Sequence, residues 1–180
     1  MTHSSASLSP QERPFPDQES ASETVDSAPE HGADADLSLL LEQFLHSIVG
    51  LAGAQGGVVR VLTDDSRHLR LVGQFGLPPS VAQFEQLVSR DCGICGVAIS
   101  RDVLGWVDDV HSCARMASDA YFGSRCQRVL AISLPYGRDI LGVYTLFFEA
   151  KTELSPATES MLRLIGQLLG LTLHNARVER

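Results

Sequence analysis

Lysine is almost missing from this chain: Lys151 is the only one, and the remaining cations are arginines. No apolar run approaches the ~18 residues that a membrane-spanning helix needs. The N-terminus also lacks the basic-then-apolar pattern of a secretory leader. Cysteine is absent outside residues 90–126, and Trp106 is the single tryptophan. From these absences a cytoplasmic protein is expected, whose thiols stay reduced. Charge excludes a further class. The formal net charge is -8, but eight carboxylates face only Arg13 up to Asp36, which leaves roughly -1 for everything after it. The later part is nearly neutral and offers no basic stripe, so nucleic-acid binding is not expected.

Residues 1–35 are rich in Ser, Pro, Ala, Glu and Asp, and Leu8, Phe15 and Val25 are their only sizeable apolar residues beyond Met1. Such a segment buries too little surface to offset its ordering entropy and is expected to be a disordered acidic tail. From Asp36 the pattern changes. Leu37, Leu40, Leu41, Phe44, Leu45, Ile48 and Val49 recur at three and four, which predicts a helix ending near Gly53. The β-branched run Val58–Leu62, a turn at Thr63–Ser66 and the alternating His68–Gly73 predict a hairpin. A short helix is expected from Ser80 through Val88, a helical turn at Gly96–Ser100 and a strand at Val103–Val110. Two strongly apolar strands, Arg128–Leu134 and Ile140–Phe148, flank a turn at Pro135–Asp139. Ser155 and Pro156 then cap and open a long C-terminal helix. Met161, Leu164, Ile165, Leu168 and Thr172 make one stripe on it, and Leu162, Leu169 and Leu173 a second. One stripe suffices to pack on a sheet; two imply another partner, most simply the same helix of a second subunit in a homodimer. The order predicts an α+β fold: an antiparallel sheet with the terminal helices on one face and a pocket on the other.

All four cysteines, Cys92, Cys95, Cys113 and Cys126, fall within one fifth of the chain, spaced C-x2-C-x17-C-x12-C. Cys92 and Cys95 have the spacing at which two thiolates can point at one metal, and Gly93 and Gly96 let backbone amides approach the sulfurs. Four thiolates suit zinc or an iron–sulfur cluster, and the irregular spacing favours the cluster. A reversible disulfide is a further option. The plain alternative is that buried cysteines act as small hydrophobes. Trp106, His111, Arg115, Arg128 and Tyr144 are candidates to line a ligand pocket. Arg115, Arg125 and Arg128 flank the cysteine loop, and their planar guanidinium forks match an oxyanion such as nitrate.

The element order and three local signatures resemble the GAF domain family of small-molecule and redox sensors. The first is Gly93-Ile94-Cys95-Gly96-Val97-Ala98-Ile99-Ser100 leading into Val107-Asp108-Asp109-Val110. The second is Leu134-Pro135-Tyr136-Gly137 followed by Ile140-Leu141-Gly142-Val143-Tyr144. The third is Leu173-His174-Asn175-Ala176-Arg177, similar to the helix that carries the signal to the family's output. The resemblance covers residues 36–180, taken as a GAF-like sensory domain. The Cys-Gly-Ile-Cys-Gly stretch is most similar to GAF-type modules associated with nitrate/nitrite sensor histidine kinases. The sequence shows no phospho-accepting histidine region and no nucleotide-binding motif, so output is expected through a partner, a sensor kinase or transcriptional regulator. Val107-Asp108-Asp109-Val110-His111 also resembles the stand-alone GAF enzymes that reduce free methionine-(R)-sulfoxide. There the resemblance implies an essential cysteine where this chain reads Ala117-Ser118-Asp119-Ala120. A serine is no thiolate, so a non-enzymatic sensor is the leading expectation. Two readings of that sensor stay open: a cysteine-bound redox centre, or a small-anion pocket with structural thiols.

Overall fold

The sheet is built outward from its two most apolar strands. A computed structural model describes residues 30–101, 104–108 and 126–178. The elements run α1 (Glu30–Ala52), β1 (Gly56–Leu62), β2 (His68–Phe75), α2 (Pro79–Phe84), β3 (Leu87–Ser89), α3 (Gly93–Arg101), β4 (Gly105–Val107), β5 (Arg128–Tyr136), β6 (Asp139–Phe148) and α4 (Pro156–Val178). Among the described residues six strands form one antiparallel sheet in the order β3-β2-β1-β6-β5-β4. β1 and β6 are therefore central, as their β-branched and aromatic residues favour. Every residue of β1 is buried, which fits a strand covered on both faces.

Period-2 alternation sends successive residues to opposite faces. Val59, Val61, Leu130, Ile132, Leu134, Tyr144, Leu146 and Phe148 form one cluster with Leu41, Leu45 and Ile48 of α1 and Leu162, Leu169 and Leu173 of α4. Val58, Leu69, Leu71, Val129, Ala131, Val143 and Phe147 form another with Ile94, Cys95, Ala98 and Ile99 of α3. Both terminal helices thus lie on one face of the sheet and α3 on the other, the predicted α+β arrangement.

The predicted hairpin is present as β1 and β2. The Ser155 hydroxyl accepts from the Thr158 amide at 3.1 Å, capping α4 as its sequence indicated. Several boundaries differ. α1 begins at Glu30, ahead of the boundary at Asp36, because Ala33 and Ala35 continue good helix formers back toward Pro29. Residues 30–35 thus belong to α1 and not to the tail; residues 1–29 lie outside the described residues. The short helix ends at Phe84, not Val88. Leu87–Ser89 pairs instead with His68–Arg70, a strand that three residues are too few to announce by alternation. On α4 the sheet-facing stripe is Leu162, Leu169 and Leu173, while Met161, Leu164 and Leu168 point away from the protein.

Candidate functional site

The sheet face beneath α3 is apolar with a few polar groups set into it. Arg60 occupies the middle of β1, between Val58 and Leu62, both of which belong to the α3-side cluster. Alternation therefore aims Arg60 at the same face. Its side chain is 2% exposed, and Nη2 donates to Glu85 Oε2 at 2.8 Å, with Glu85 itself 6% exposed. Glu85 follows the last turn of α2, so the break at Leu77-Pro78-Pro79 brings the carboxylate over the sheet. A charge so deep is tolerated only when paired. In register with Arg60 across the central strands stands Val143, and Val143 is in turn opposite Ser133 on β5. Thr145, fully buried, lies one pleat along β6 on the same face.

The thiols lie around this floor. Cys95, on the first turn of α3, is buried and its Sγ is 3.6 Å from Thr145 Oγ1. Cys92 precedes α3 and packs against the same cluster while partly exposed. Gly96 is required here, because a Cβ would come within 2.9 Å of the Arg90 carbonyl and of Asp91 Cα. Cys126 is also buried in this cluster; its Sγ donates to the Arg128 carbonyl at 3.7 Å. Burial pushes the Cys126 thiol up, which keeps it protonated at neutral pH. Cys92, Cys95 and Cys126 all pack on one cluster. Among the described residues, however, no three His, Cys, Asp or Glu side chains converge as a metal site. Cys113 lies outside the described residues, as do His111 and Arg115.

The remaining predicted pocket residues belong to the other side. Tyr144 is fully buried against α4, and its hydroxyl donates to the Leu162 carbonyl at 2.7 Å. Trp106 packs in the helical layer, tilted against Phe148, with its indole N–H donating to Glu159 Oε1 at 3.0 Å. Arg128 lies 4.0 Å over the Trp106 ring, its Nε is 2.6 Å from Asp108 Oδ1, and Nη1 donates to the Thr152 carbonyl. These three are corrections to the sequence-based pocket. β-Alternation puts Trp106 and Tyr144 on the helical face, and the Arg128 guanidinium is already engaged. Open clefts among the described residues also lie away from the thiols. One of about 620 Å³ runs between α1, α4 and the end of β1, and one of about 770 Å³ lies beside Arg90, Arg138 and Arg177.

Sequence reasoning passed over Arg60, Glu85 and Thr145. The available signal was Arg60 itself, the one charge inside a strand otherwise made of valine, leucine and glycine. A buried strand does not tolerate a guanidinium without a partner.

By sequence, the chain matches no family model and no curated protein. Its fold does match solved structures. The GAF domain of an Acinetobacter phosphoenolpyruvate-protein phosphotransferase is 16% identical, covering 82% of this chain and 92% of that one at a TM-score of 0.65. The type II free methionine-R-sulfoxide reductase of Thermoplasma acidophilum is 16% identical, covering 79% and 96% at a TM-score of 0.63. The second GAF domain of DevS from Mycobacterium smegmatis is 16% identical, covering 82% and 97% at a TM-score of 0.62. With helices α1 and α4 behind the six-stranded sheet and α3 in front of it, this chain has the fold of a GAF domain.

Proposed function

We propose that the protein is a sensory module that takes a small ligand on the α3 side of the sheet and passes the change to a partner, a sensor kinase or transcriptional regulator, through α1 and α4. One observation carries this reading. The Arg60–Glu85 pair, Thr145 and Cys95 are polar groups set into an apolar floor, on the face the terminal helices leave to α3. A few placed polar groups among apolar ones are how small-molecule sites obtain orientation. The module is read as a sensor and not a reductase because Ser118 stands where the enzyme resemblance requires a thiolate. The first probe is nitrate, the anion that the resemblance of the Cys92–Gly96 stretch suggests. At a hundred times its dissociation constant a ligand adds about 2.7 kcal/mol of stability. Nitrate titration should therefore raise the melting temperature by several degrees, less so in Thr145→Val. Equal shifts in both proteins would remove the site from this face; no shift with nitrate would remove the anion reading.

A second reading keeps the thiols central: Cys92, Cys95, Cys113 and Cys126 hold a redox-responsive iron–sulfur or metal centre. It is supported by the three described thiols sharing one cluster; among the described residues no three ligands converge. Absorption spectra with iron, zinc and sulfide analysis, on protein purified without oxygen, decide between the two. Stoichiometric metal that is lost in Cys126→Ser supports the centre; metal-free protein removes it.

A further inference from the structure

We propose that the cleft where the β1–β2 and β5–β6 turns meet the last turn of α4 binds a small phosphate ester, recognised through its hydroxyl groups as well as its phosphate. The cleft measures about 770 Å³, and Arg90, Arg138 and Arg177 line it from separate parts of the chain. That volume is within the range of small-molecule sites. Neither Thr145 nor Cys95 belongs to its wall, so it stands apart from the ligand face described above.

Local structure presents each arginine. Tyr136 pairs with Asp139, so Gly137 and Arg138 alone make the hairpin turn, and Gly137 takes a φ of 62° that suits glycine. Arg138 is thereby held exposed at the tip. The Arg90 amide donates to the Arg67 carbonyl at 2.9 Å, and its Nη1 to the Ser66 carbonyl at 3.4 Å. Arg177 Nη2 donates to the Leu62 carbonyl, tying the end of α4 to the end of β1. Among the described residues none of these guanidiniums meets a carboxylate. A guanidinium has several N–H donors, and a carbonyl occupies one of them without balancing the charge.

Charge and donor chemistry then select the ligand. The chain carries a net charge of -8, yet this cleft sets three guanidiniums against two carboxylates, Asp64 and Asp139. Positive charge left unbalanced in an acidic protein favours an anion. Planar donor forks match phosphate oxygens, and a phosphate monoester carries about two negative charges at neutral pH. Asp64 and Asp139 repel a bare anion and can only accept hydrogen bonds, so they call for donors on the same ligand. Hydroxyls supply these without adding charge. Thr63, Ser66 and Ser100, also in the wall, can donate or accept. A sugar phosphate combines the two kinds of group. One that reaches both Arg138 and Arg177 braces the last turn of α4 against the β5–β6 turn.

The test is calorimetric titration of the full chain, at fixed ionic strength, with ribose 5-phosphate and glucose 6-phosphate, and with inorganic phosphate for comparison. At least one ester is expected to bind, and to bind more tightly than inorganic phosphate. Arg138→Gln and Arg177→Gln should each weaken it about tenfold or more, the cost of losing a hydrogen bond to a charged group. Both positions are exposed, and circular dichroism checks that the fold is retained. Thr145→Val, on the α3 face, should leave the affinity unchanged. Hydrogen exchange in the last turn of α4 should slow when the ester binds. Failure of both esters to bind, or an affinity indifferent to both arginine variants, overturns the site. Equal affinity for the esters and inorganic phosphate overturns the part given to the hydroxyls. An ester held by the arginines that leaves exchange in α4 unaltered overturns the bracing.

Discussion

The two faces of the sheet are packed by different means. On the helical face, long helices lie flush on the strands. Cβ atoms at Gly166 and Gly170 would run into the Ser133 and Pro135 carbonyls, and the polar tips of Tyr144 and Trp106 are tied to α4. On the α3 face, the cover among the described residues is a nine-residue helix, and the floor keeps a buried ion pair, a threonine and thiols. Close-packed helices give a rigid support, since packing at that density tolerates little displacement. Buried polar groups beneath a short helix cost some stability. The comparison sets a closely packed face against one that carries buried polar groups.

Substitutions can break that contrast, and the helical face should give the largest effect. Gly170→Val drives a side chain into the backbone of Leu134 and Pro135, neither of which can yield. Urea unfolding is expected to show a loss of about 4 kcal/mol. Next comes the ion pair. Glu85→Ala removes the carboxylate that holds Arg60 and should cost about 3 kcal/mol. Arg60→Met combined with Glu85→Leu should recover most of that, because it removes the buried charges together. Equal losses in the single and double variants would show that the pair is not what the α3 face depends on. The smallest effect is Tyr144→Phe, about 1 kcal/mol for one buried hydrogen bond. It carries a pH signature. Burial holds the Tyr144 phenol well above its ordinary value. Its stabilising contribution is complete below the ordinary tyrosine range and declines as pH rises above it, because the unfolded chain ionises while the native one does not. Alkaline melting curves should fall more steeply for the wild type than for Tyr144→Phe.

Much of the fold was legible because periodicity is a local property. The β1–β2 hairpin announced itself through Val58–Leu62 and His68–Gly73, and the α4 start through Ser155-Pro156. The site was less legible because alternation separates two faces without labelling them. Tyr144 and Thr145 are neighbours in sequence, yet one is pinned to α4 and the other lies under Cys95. Only the partner elements, distant in the chain, decide which is which. Arg60 shows the same limit: its oddity was visible in β1, but Glu85 is brought to it by α2, whose length no pattern fixed. Thiol clustering in sequence carried partly into space, since Cys92, Cys95 and Cys126 share one cluster without forming a ligand set among the described residues.

The sheet is open, and open sheets ordinarily risk recruiting stray strands. Among the described residues its outermost members, β3 and β4, are three residues each. A row of unpaired amides and carbonyls that short is a poor template for another chain. These two edges should therefore resist recruiting a strand from another molecule even when the protein is concentrated.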